Sequence, residues 1–202
     1  MTLISHKYKF VFLANPKCAS TTLHEMLRPY SDEAYTFSVY QRPIGTHADA
    51  KTVKKYLKRK GRDIKDYYVI TTIREPFARI KSCFRYESHW KHHKDITDLF
   101  RPIPKDFKSY VMGDWFFKRF IDIDKFTRDE DGKQLVDSII KVEEFSEEVP
   151  KLIKKLQLPL NIDEVPMSNV TSKKKGVDYD KEMKEHIYNF HFGDFKFYPV
   201  EE

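Results

Sequence analysis

The chain has 202 residues, with 37 lysines and arginines against 31 aspartates and glutamates, and its net charge is +6. This length favours a single domain over residues 1–202, with a core large enough to need no disulfide bonds, and two cysteines are too few for a disulfide-rich secreted scaffold. The positive charge suits an anionic cofactor, an acidic acceptor or a nucleic acid, and by itself it does not distinguish among these partners.

No part of the sequence predicts a membrane span, because the longest apolar run is far too short. The N-terminus, MTLISHKYKF, lacks the features of a secretory signal. We therefore expect a cytoplasmic protein with no membrane partner.

The first informative stretch is residues 9–27, KFVFLANPKCASTTLHEML. Its apolar run at 10–14 predicts a buried strand and residues 15–20 a polar loop. Leu23, Met26 and Leu27 have helical spacing and predict a helix from about residue 21. Such a turn presents unpaired backbone N–H groups and the positive end of a helix dipole, and both attract an anion.

The loop also carries side chains suited to a phosphate-like ligand. Lys17 supplies a positive charge, Ala19 lets the backbone approach the ligand, and three consecutive hydroxyls follow: Ser20, Thr21 and Thr22. The pattern is not the nucleoside triphosphatase loop G-x-x-x-x-G-K-[ST], because the lysine comes early, after Pro16, and there is no glycine. By itself the motif also fits an ordinary strand-to-helix turn. Cys18 is either a small residue that fits the loop, which we favour, or a reactive thiol.

The next segments predict a strand, a turn and a helix. Residues 34–40 alternate in polarity as a half-buried strand does, and 41–46 form a turn with proline and glycine. His47 follows this turn. Residues 48–60 predict a helix with a basic face, either solvated or a docking surface for an acidic glycan or nucleic acid.

A second strand-to-helix motif spans residues 66–86, DYYVITTIREPFARIKSCFRY. The β-branched and aromatic run at 68–73 predicts a buried strand, which Arg74 follows. Pro76 suits the first position of a helix, on which Arg79 and Ser82 lie three residues apart. We expect Arg74 and Ser82 to grip a second anionic group.

The remaining segments are less specific. Residues 87–114 are read as a mobile loop with Trp90 as a stacking platform or core residue and a short helix at 106–112. The histidines at 89, 92 and 93 lack a ligand set for a metal. A hairpin or strand connection is predicted around the TRDEDG turn, with flanks at 116–126 and 134–142. Helices are predicted at 143–156 and 180–190, a polar loop at 165–175, and an aromatic core segment, HFGDFKFYP, at the end.

Together the two motifs resemble the sulfotransferases that use 3′-phosphoadenosine 5′-phosphosulfate (PAPS). PKCASTTL resembles their 5′-phosphosulfate loop, and REPFARIKSCF resembles their 3′-phosphate segment, with a proline two residues and a serine eight residues after the arginine. GTHADA, IIKVEEF, SNVTSKKK and HIYNFHFGDFKFY extend the likeness, which is weakest over residues 87–135. The whole is most similar to the Golgi carbohydrate branch and its microbial relatives.

The resemblance implies roles for particular residues. Residues 16–22 would bind the cofactor's phosphosulfate, Lys17 would also act in catalysis, and Arg74 and Ser82 would hold the 3′-phosphate. Asn169 and one lysine of 173–175, taken as Lys174, would close over the nucleotide. His47 would be the general base, with His24 and Glu33 as reserves.

The implied activity is transfer of a sulfuryl group from PAPS to a hydroxyl, with a glycan as the favoured acceptor and no metal and no nucleic acid. We expect an α/β, three-layer, P-loop-like domain with a central, mostly parallel sheet flanked by helices. A small-molecule kinase and a non-catalytic binder of polyanions or nucleic acid are the alternatives. A trimmed Golgi-lumenal domain is the alternative to a cytoplasmic protein.

Overall fold

The computed structural model describes residues 1–35, 44–90, 104, 106–113, 121–160 and 178–199. The chain divides into two compact units, Met1–Arg74 with Asp124–Thr171, and Glu75–Ile123 with Ser172–Glu202. We describe each unit by itself. That residues 1–202 form a single domain stays a prediction.

The first unit is built on a five-stranded sheet in the order β3-β1-β2-β4-β5. β2 pairs in parallel with β4, and β4 with β5, whereas β1 is antiparallel to both β2 and β3. The strand bounds are β1 Thr2–Ser5, β2 Phe10–Leu13, β3 Glu33–Tyr35, β4 Tyr68–Ile73 and β5 Ser138–Lys141. The α/β class is therefore confirmed.

The sheet is mixed, because β1 runs against β2, β3, β4 and β5, which all point the same way, so the expectation of a mostly parallel sheet is confirmed only in part. The reason is β1, which the sequence analysis did not predict. Residues 6–9 join β1 to β2, and so short a connection allows only an antiparallel pair, because a parallel pair needs a long crossover. The strand predicted at 34–40 overlaps β3 at its start, and residues 36–40 lie outside the described part.

Both faces of the sheet are covered. Phe10 and Phe12 of β2 belong to an apolar cluster that also contains Leu23 of helix α1 (Ser20–Leu27) and Leu152 of helix α6 (Phe145–Lys155). The intervening Val11 and Leu13 are equally buried. Since side chains alternate along a strand, apolar layers lie on both sides of β2.

The other elements of the first unit follow the sequence closely. Helix α2 (Ala50–Arg59) begins at Asp49, whose side chain accepts a hydrogen bond from the Thr52 N–H at 2.9 Å. The predicted turn near residue 130 is present, and Arg128 and Gln134 form an antiparallel bridge across it. The flank before this turn is helical rather than extended, because Ile123–Thr127 forms α5.

The second unit is helical, with α3 Pro76–Trp90, α4 Phe107–Met112, α7 Lys181–Phe190 and α8 Phe192–Phe195. Residues 87–90 therefore end a helix and do not begin a loop, whereas the short helix predicted at 106–112 is confirmed. Cys83, Tyr110, Ile187 and Phe195 lie in its apolar core.

A buried charge network holds the second unit together. Arg79 pairs with Asp194 at 3.1 Å, and both side chains are about 1% exposed. Asp194 also accepts the Ile123 N–H at 2.7 Å, and Asp122 accepts the Gly193 N–H at 2.7 Å. A Cβ at Gly193 would overlap the Asp122 carboxylate, so this position requires glycine. The Arg79 side chain is therefore committed to its pair with Asp194, whereas Ser82, three residues later on α3, is half-buried.

The C-terminal aromatic segment is only partly core. Phe195 is buried, whereas Phe190 and Phe192 are 47% and 54% exposed. Among the described residues, no helix is both long and apolar enough to span a bilayer.

Candidate functional site

The loop after β2 is tied to the end of β4 by two side chains. The buried Asn15 donates from Nδ2 to the carbonyl oxygen of Thr72 at 3.0 Å. Thr71 donates from Oγ1 to the carbonyl oxygen of Leu13 at 2.8 Å. These bonds hold the carboxyl ends of two parallel strands together, at the edge where α/β proteins bind ligands.

The backbone of this loop is unusual. Lys17 and Ala19 have φ angles of 62° and 51°, although neither is glycine. Left-handed residues of this kind cost roughly 1–3 kcal/mol each and cluster at functional sites. Where left-handed and right-handed backbone conformations alternate, successive N–H groups point into one concavity. Such concavities often bind anions in proteins.

The first turn of α1 has no capping group. Ala19, in the left-handed conformation, occupies the N-cap position and offers no side-chain acceptor, and no acidic residue lies in the first turn. No carboxylate of the first turn of α1 thus compensates the positive end of its dipole, and an anion suits this position.

The other predicted loop residues differ in exposure. Pro16, Lys17 and Ala19 are half-buried, Thr21 is exposed, and Ser20 and Thr22 are buried. Thr21 is thus the most accessible of the three hydroxyls. Cys18 is fully buried, and its Sγ donates to the Pro16 carbonyl oxygen at 3.4 Å, which favours the packing role over a reactive thiol.

His47 lies at the same edge of the sheet. Its Nδ1 is 2.6 Å from the carbonyl oxygen of Ala14, the residue that follows β2. A carbonyl can only accept, so Nδ1 carries the proton, and in the neutral imidazole Nε2 is the basic nitrogen. The carbonyl oxygen of Thr46 accepts hydrogen bonds from the amide and hydroxyl of Thr2 at 2.9 and 3.1 Å. The unpredicted strand β1 thus positions His47.

The register between β2 and β4 places Arg74 at this edge. Leu13 of β2 lies opposite Thr71 of β4, so residues 16 and 74 lie at equivalent heights beyond the paired strands. Arg74 is half-buried. The predicted Lys17 loop, His47 and Arg74 therefore meet at one edge of the first unit.

The remaining predicted cofactor residues are Ser82, Asn169 and Lys174. Ser82 is a half-buried residue of α3 in the second unit. At the start of α3, the Glu75 carboxylate accepts the N–H groups of Phe77 and Ala78 at 2.9 and 2.6 Å. The sequence analysis missed this cap, which occupies the N–H groups that a second anion would need. Asn169 and Lys174 lie outside the described residues, as does the polar loop that contains them.

The two reserve bases are poorly suited to proton transfer. His24 is buried on α1, and burial, followed by the positive charges of the N-terminus and Arg28, lowers its pKa to about 4. Burial alone would raise the pKa of Glu33, but hydrogen bonds from Tyr35, Tyr56 and His6 outweigh it and lower that pKa. His6 also contacts Tyr67, before the start of β4, so this network lies away from the loop.

One group among the described residues has the geometry to hold a metal ion: Asp122, His191 and Asp194. The Arg79 guanidinium already neutralises Asp194 in this group. Backbone N–H groups also occupy both carboxylates. The network is therefore read as structural.

Comparison with protein-family models matches residues 1–199 to the sulfotransferase family. Comparisons with curated proteins and with solved structures give no match. The family match covers nearly the entire chain, including the loop, His47 and Arg74. The chain belongs to the sulfotransferase family, whose members transfer sulfuryl groups.

Proposed function

We propose that this protein transfers a sulfuryl group from PAPS to a hydroxyl group of a carbohydrate, without a metal ion. The observation that carries the proposal is the loop at residues 15–19, with two left-handed backbone positions, an uncapped helix behind it and Lys17 within it. These features fit a binding site for a doubly charged phosphosulfate better than they fit a strand-to-helix turn without a ligand.

The 5′-phosphosulfate would lie against the α1 N-terminus. As the acceptor oxygen bonds to sulfur, the bond from sulfur to the 5′-phosphate oxygen breaks, and negative charge develops on that oxygen. Lys17 and the loop N–H groups would stabilise this charge more strongly in the transition state than in the bound donor, which raises kcat.

The Nε2 atom of His47 would accept the proton of the attacking hydroxyl. The hydrogen bond from Nδ1 to Ala14 supports this role, because it sets the tautomer and holds the ring beside the loop. The products are a sulfate ester and 3′,5′-adenosine bisphosphate, with the proton left on the imidazole.

Arg74 would bind the 3′-phosphate through its guanidinium fork. The contributions of Ser82, Asn169 and Lys174 stay predictions from the resemblance. Because Glu75 occupies the first N–H groups of α3, we propose that side chains rather than that helix end bind this phosphate.

The glycan acceptor and the cytoplasmic location rest on the sequence alone. The basic face of α2 supports a glycan less strongly than the sequence suggests, since Lys54 binds Asp129 at 2.9 Å and Lys55 pairs with Glu130. Lys58 and Arg59 remain exposed on this face.

Calorimetric titration with 3′,5′-adenosine bisphosphate, 5′-AMP and ATP with magnesium tests the donor site. We expect micromolar binding of the bisphosphate, much weaker binding of AMP, and loss of this preference in Arg74→Ala. A preference for ATP with magnesium would overturn the proposal in favour of a kinase. DNA binding with a steep salt dependence and no bisphosphate binding would favour a nucleic-acid binder.

A further inference from the structure

A basic cavity lies at the end of the sheet opposite the Lys17 loop. It has a volume of about 580 Å³, which is within the range of small-molecule sites. Lys9 precedes β2 and its carbonyl oxygen accepts the Tyr68 N–H at 2.7 Å, so the cavity adjoins the amino ends of β2 and β4. β2 separates it from the Lys17 loop by about 13 Å, at 3.3 Å per residue.

Charge dominates the lining of this cavity. Four lysines and two aspartates contribute a net charge of +2: Lys7, Lys9, Lys65, Lys155, Asp66 and Asp137. Asp137 is already engaged, because its Oδ2 accepts the Val69 N–H at 2.7 Å. The ammonium groups are therefore the groups most available to a ligand.

These lysines differ from others in the described residues. Lys54, Lys108 and Lys151 each lie within 3 Å of a carboxylate. Within the described residues, none of the four cavity lysines forms an ion pair with an aspartate or glutamate. Ammonium groups gathered at one cavity repel one another, and an anionic ligand would relieve this repulsion.

Tyrosine rings hold three of the four ammonium groups. Lys7 lies over Tyr8 at 5.0 Å, Lys9 over Tyr67 at 5.5 Å, and Lys155 over Tyr68 at 5.2 Å from each ring centre. Such contacts restrict long side chains that would otherwise range through solvent. Each of these ammonium groups is therefore held beside the cavity by its own ring.

Two residues with left-handed backbone also line this cavity, Lys9 with φ of 51° and Gln157 with φ of 52°. Both have a local reason for this conformation. Lys9 lies in the short connection between β1 and β2. Gln157 ends α6, because its N–H and that of Leu158 bond back to the carbonyl oxygens of Lys154 and Ile153. The backbone therefore shapes the cavity wall, and the charges carry the argument for a ligand.

We propose that this cavity is a second anion-binding site, distinct from the candidate active site, for a compact ligand that carries two or more sulfate or phosphate ester groups. Lysine ammonium groups act as point charges that suit such oxyanions.

Calorimetry on the full chain tests the proposal, with sucrose octasulfate as the sulfate probe, inositol hexakisphosphate as the phosphate probe and sucrose as the uncharged control. We expect the wild type to bind at least one charged probe in about 0.15 M salt, where exposed charges are largely screened. The double variant Lys7→Glu/Lys155→Glu should bind about tenfold or more weakly. The probe that binds more tightly shows whether the site prefers sulfate or phosphate ester groups.

The matched control is Lys133→Glu/Lys154→Glu, which changes the net charge equally at exposed positions outside the cavity. It should bind within about twofold of the wild type, as expected for charges that do not touch the ligand. Equal weakening of both pairs, or binding of neither probe, overturns the proposal.

Two further variants keep the test decisive. Lys65→Ala should weaken binding even if the double variant is unstable. Lys17→Ala/Arg74→Ala should leave probe binding unchanged, because those residues lie at the other edge of the sheet. Loss of binding in that variant would assign the probe to the candidate active site and overturn the proposal.

Discussion

The Nδ1 atom of His47 donates a hydrogen bond to the carbonyl oxygen of Ala14 at 2.6 Å. This bond joins the segment before α2 to the residue that precedes the Lys17 loop, and it leaves Nε2 as the basic nitrogen of the neutral ring.

His47→Asn keeps a side-chain donor but removes the base. We expect kcat to fall by about 10²–10⁴-fold, the range for a general base. The wild-type rate should fall as pH falls, because a protonated imidazole cannot accept the acceptor's proton. This decrease, the acid limb of the pH–rate profile, should be absent in the variant. A pH–rate profile measures both effects. An unchanged acid limb in His47→Asn would show that another group is the base.

Lys17→Ala should lower kcat by on the order of 10²-fold or more, with a smaller change in affinity for 3′,5′-adenosine bisphosphate. The reason is that the charge on the leaving oxygen exists only as the bond to sulfur breaks. Steady-state kinetics and calorimetry separate the two quantities. Lys58→Ala, which removes an exposed lysine from α2, should leave both unchanged. A loss confined to binding in Lys17→Ala would contradict the transition-state role.

Arg74→Ala should act mainly on binding and shrink the preference for 3′,5′-adenosine bisphosphate over 5′-AMP. Losing a charge-assisted hydrogen bond costs roughly 1.5–3 kcal/mol, which is about 10- to 150-fold in affinity. Arg74→Lys should restore only part of the preference, because an ammonium lacks the guanidinium fork. Calorimetry with both nucleotides measures the ratio. A preference that survives Arg74→Ala would place the 3′-phosphate elsewhere.

His24 should make stability depend on pH. Its pKa falls from 6.5 to about 4 on folding, so between these values the unfolded chain binds more protons than the folded one. The free energy of unfolding should therefore decrease as pH falls from 6.5 toward 4, by about 1–2 kcal/mol once solvent screening is allowed for. Urea unfolding at several pH values measures this slope.

The control for this effect is His24→Leu. Within the described residues, the buried Nε2 of His24 has no hydrogen-bond partner, so an apolar side chain of similar size should be tolerated. The variant should lose the slope between pH 6.5 and 4. A slope that persists would assign the pH dependence to other groups.

Arg79→Met should destabilise the second unit strongly, because it leaves the Asp194 carboxylate buried beside fewer donors. Breaking a buried ion pair from one side costs about 3–5 kcal/mol. Arg85→Met changes the same charge at an exposed position on α3 and should cost much less. Chemical denaturation compares the two variants. Equal costs would show that the Arg79–Asp194 pair contributes little.

Local patterns determined most of the individual elements. The run at 68–73 predicts β4 with its observed bounds, because consecutive β-branched and aromatic residues favour a buried strand. Asp49 and Gly61 delimit α2 through a side-chain cap and a left-handed terminus. Lys17 and Arg74 each follow a predicted strand, and parallel strands end on the same side of a sheet. Their positions in the sequence therefore also predicted that both residues lie at that side.

Contacts between distant residues decided the rest. The ion pair of Arg79 joins residues 115 positions apart, so helical spacing alone could not show that this side chain is buried against Asp194. The strand β1 was missed because a short strand at the chain start has little pattern of its own, and its pairing with β2 and β3 provides the evidence for it.

By itself, the sequence determined the two strand-to-helix motifs, the approximate bounds of the longer helices and the family. Only the tertiary structure decided the mixed sheet, the tautomer of His47, the Glu75 cap on α3 and the gathering of Lys7, Lys9, Lys65 and Lys155 in one cavity. The physical reason is range. Propensity and periodicity act over a few neighbouring residues, whereas pairing, burial and charge clustering depend on which distant segments the fold brings together.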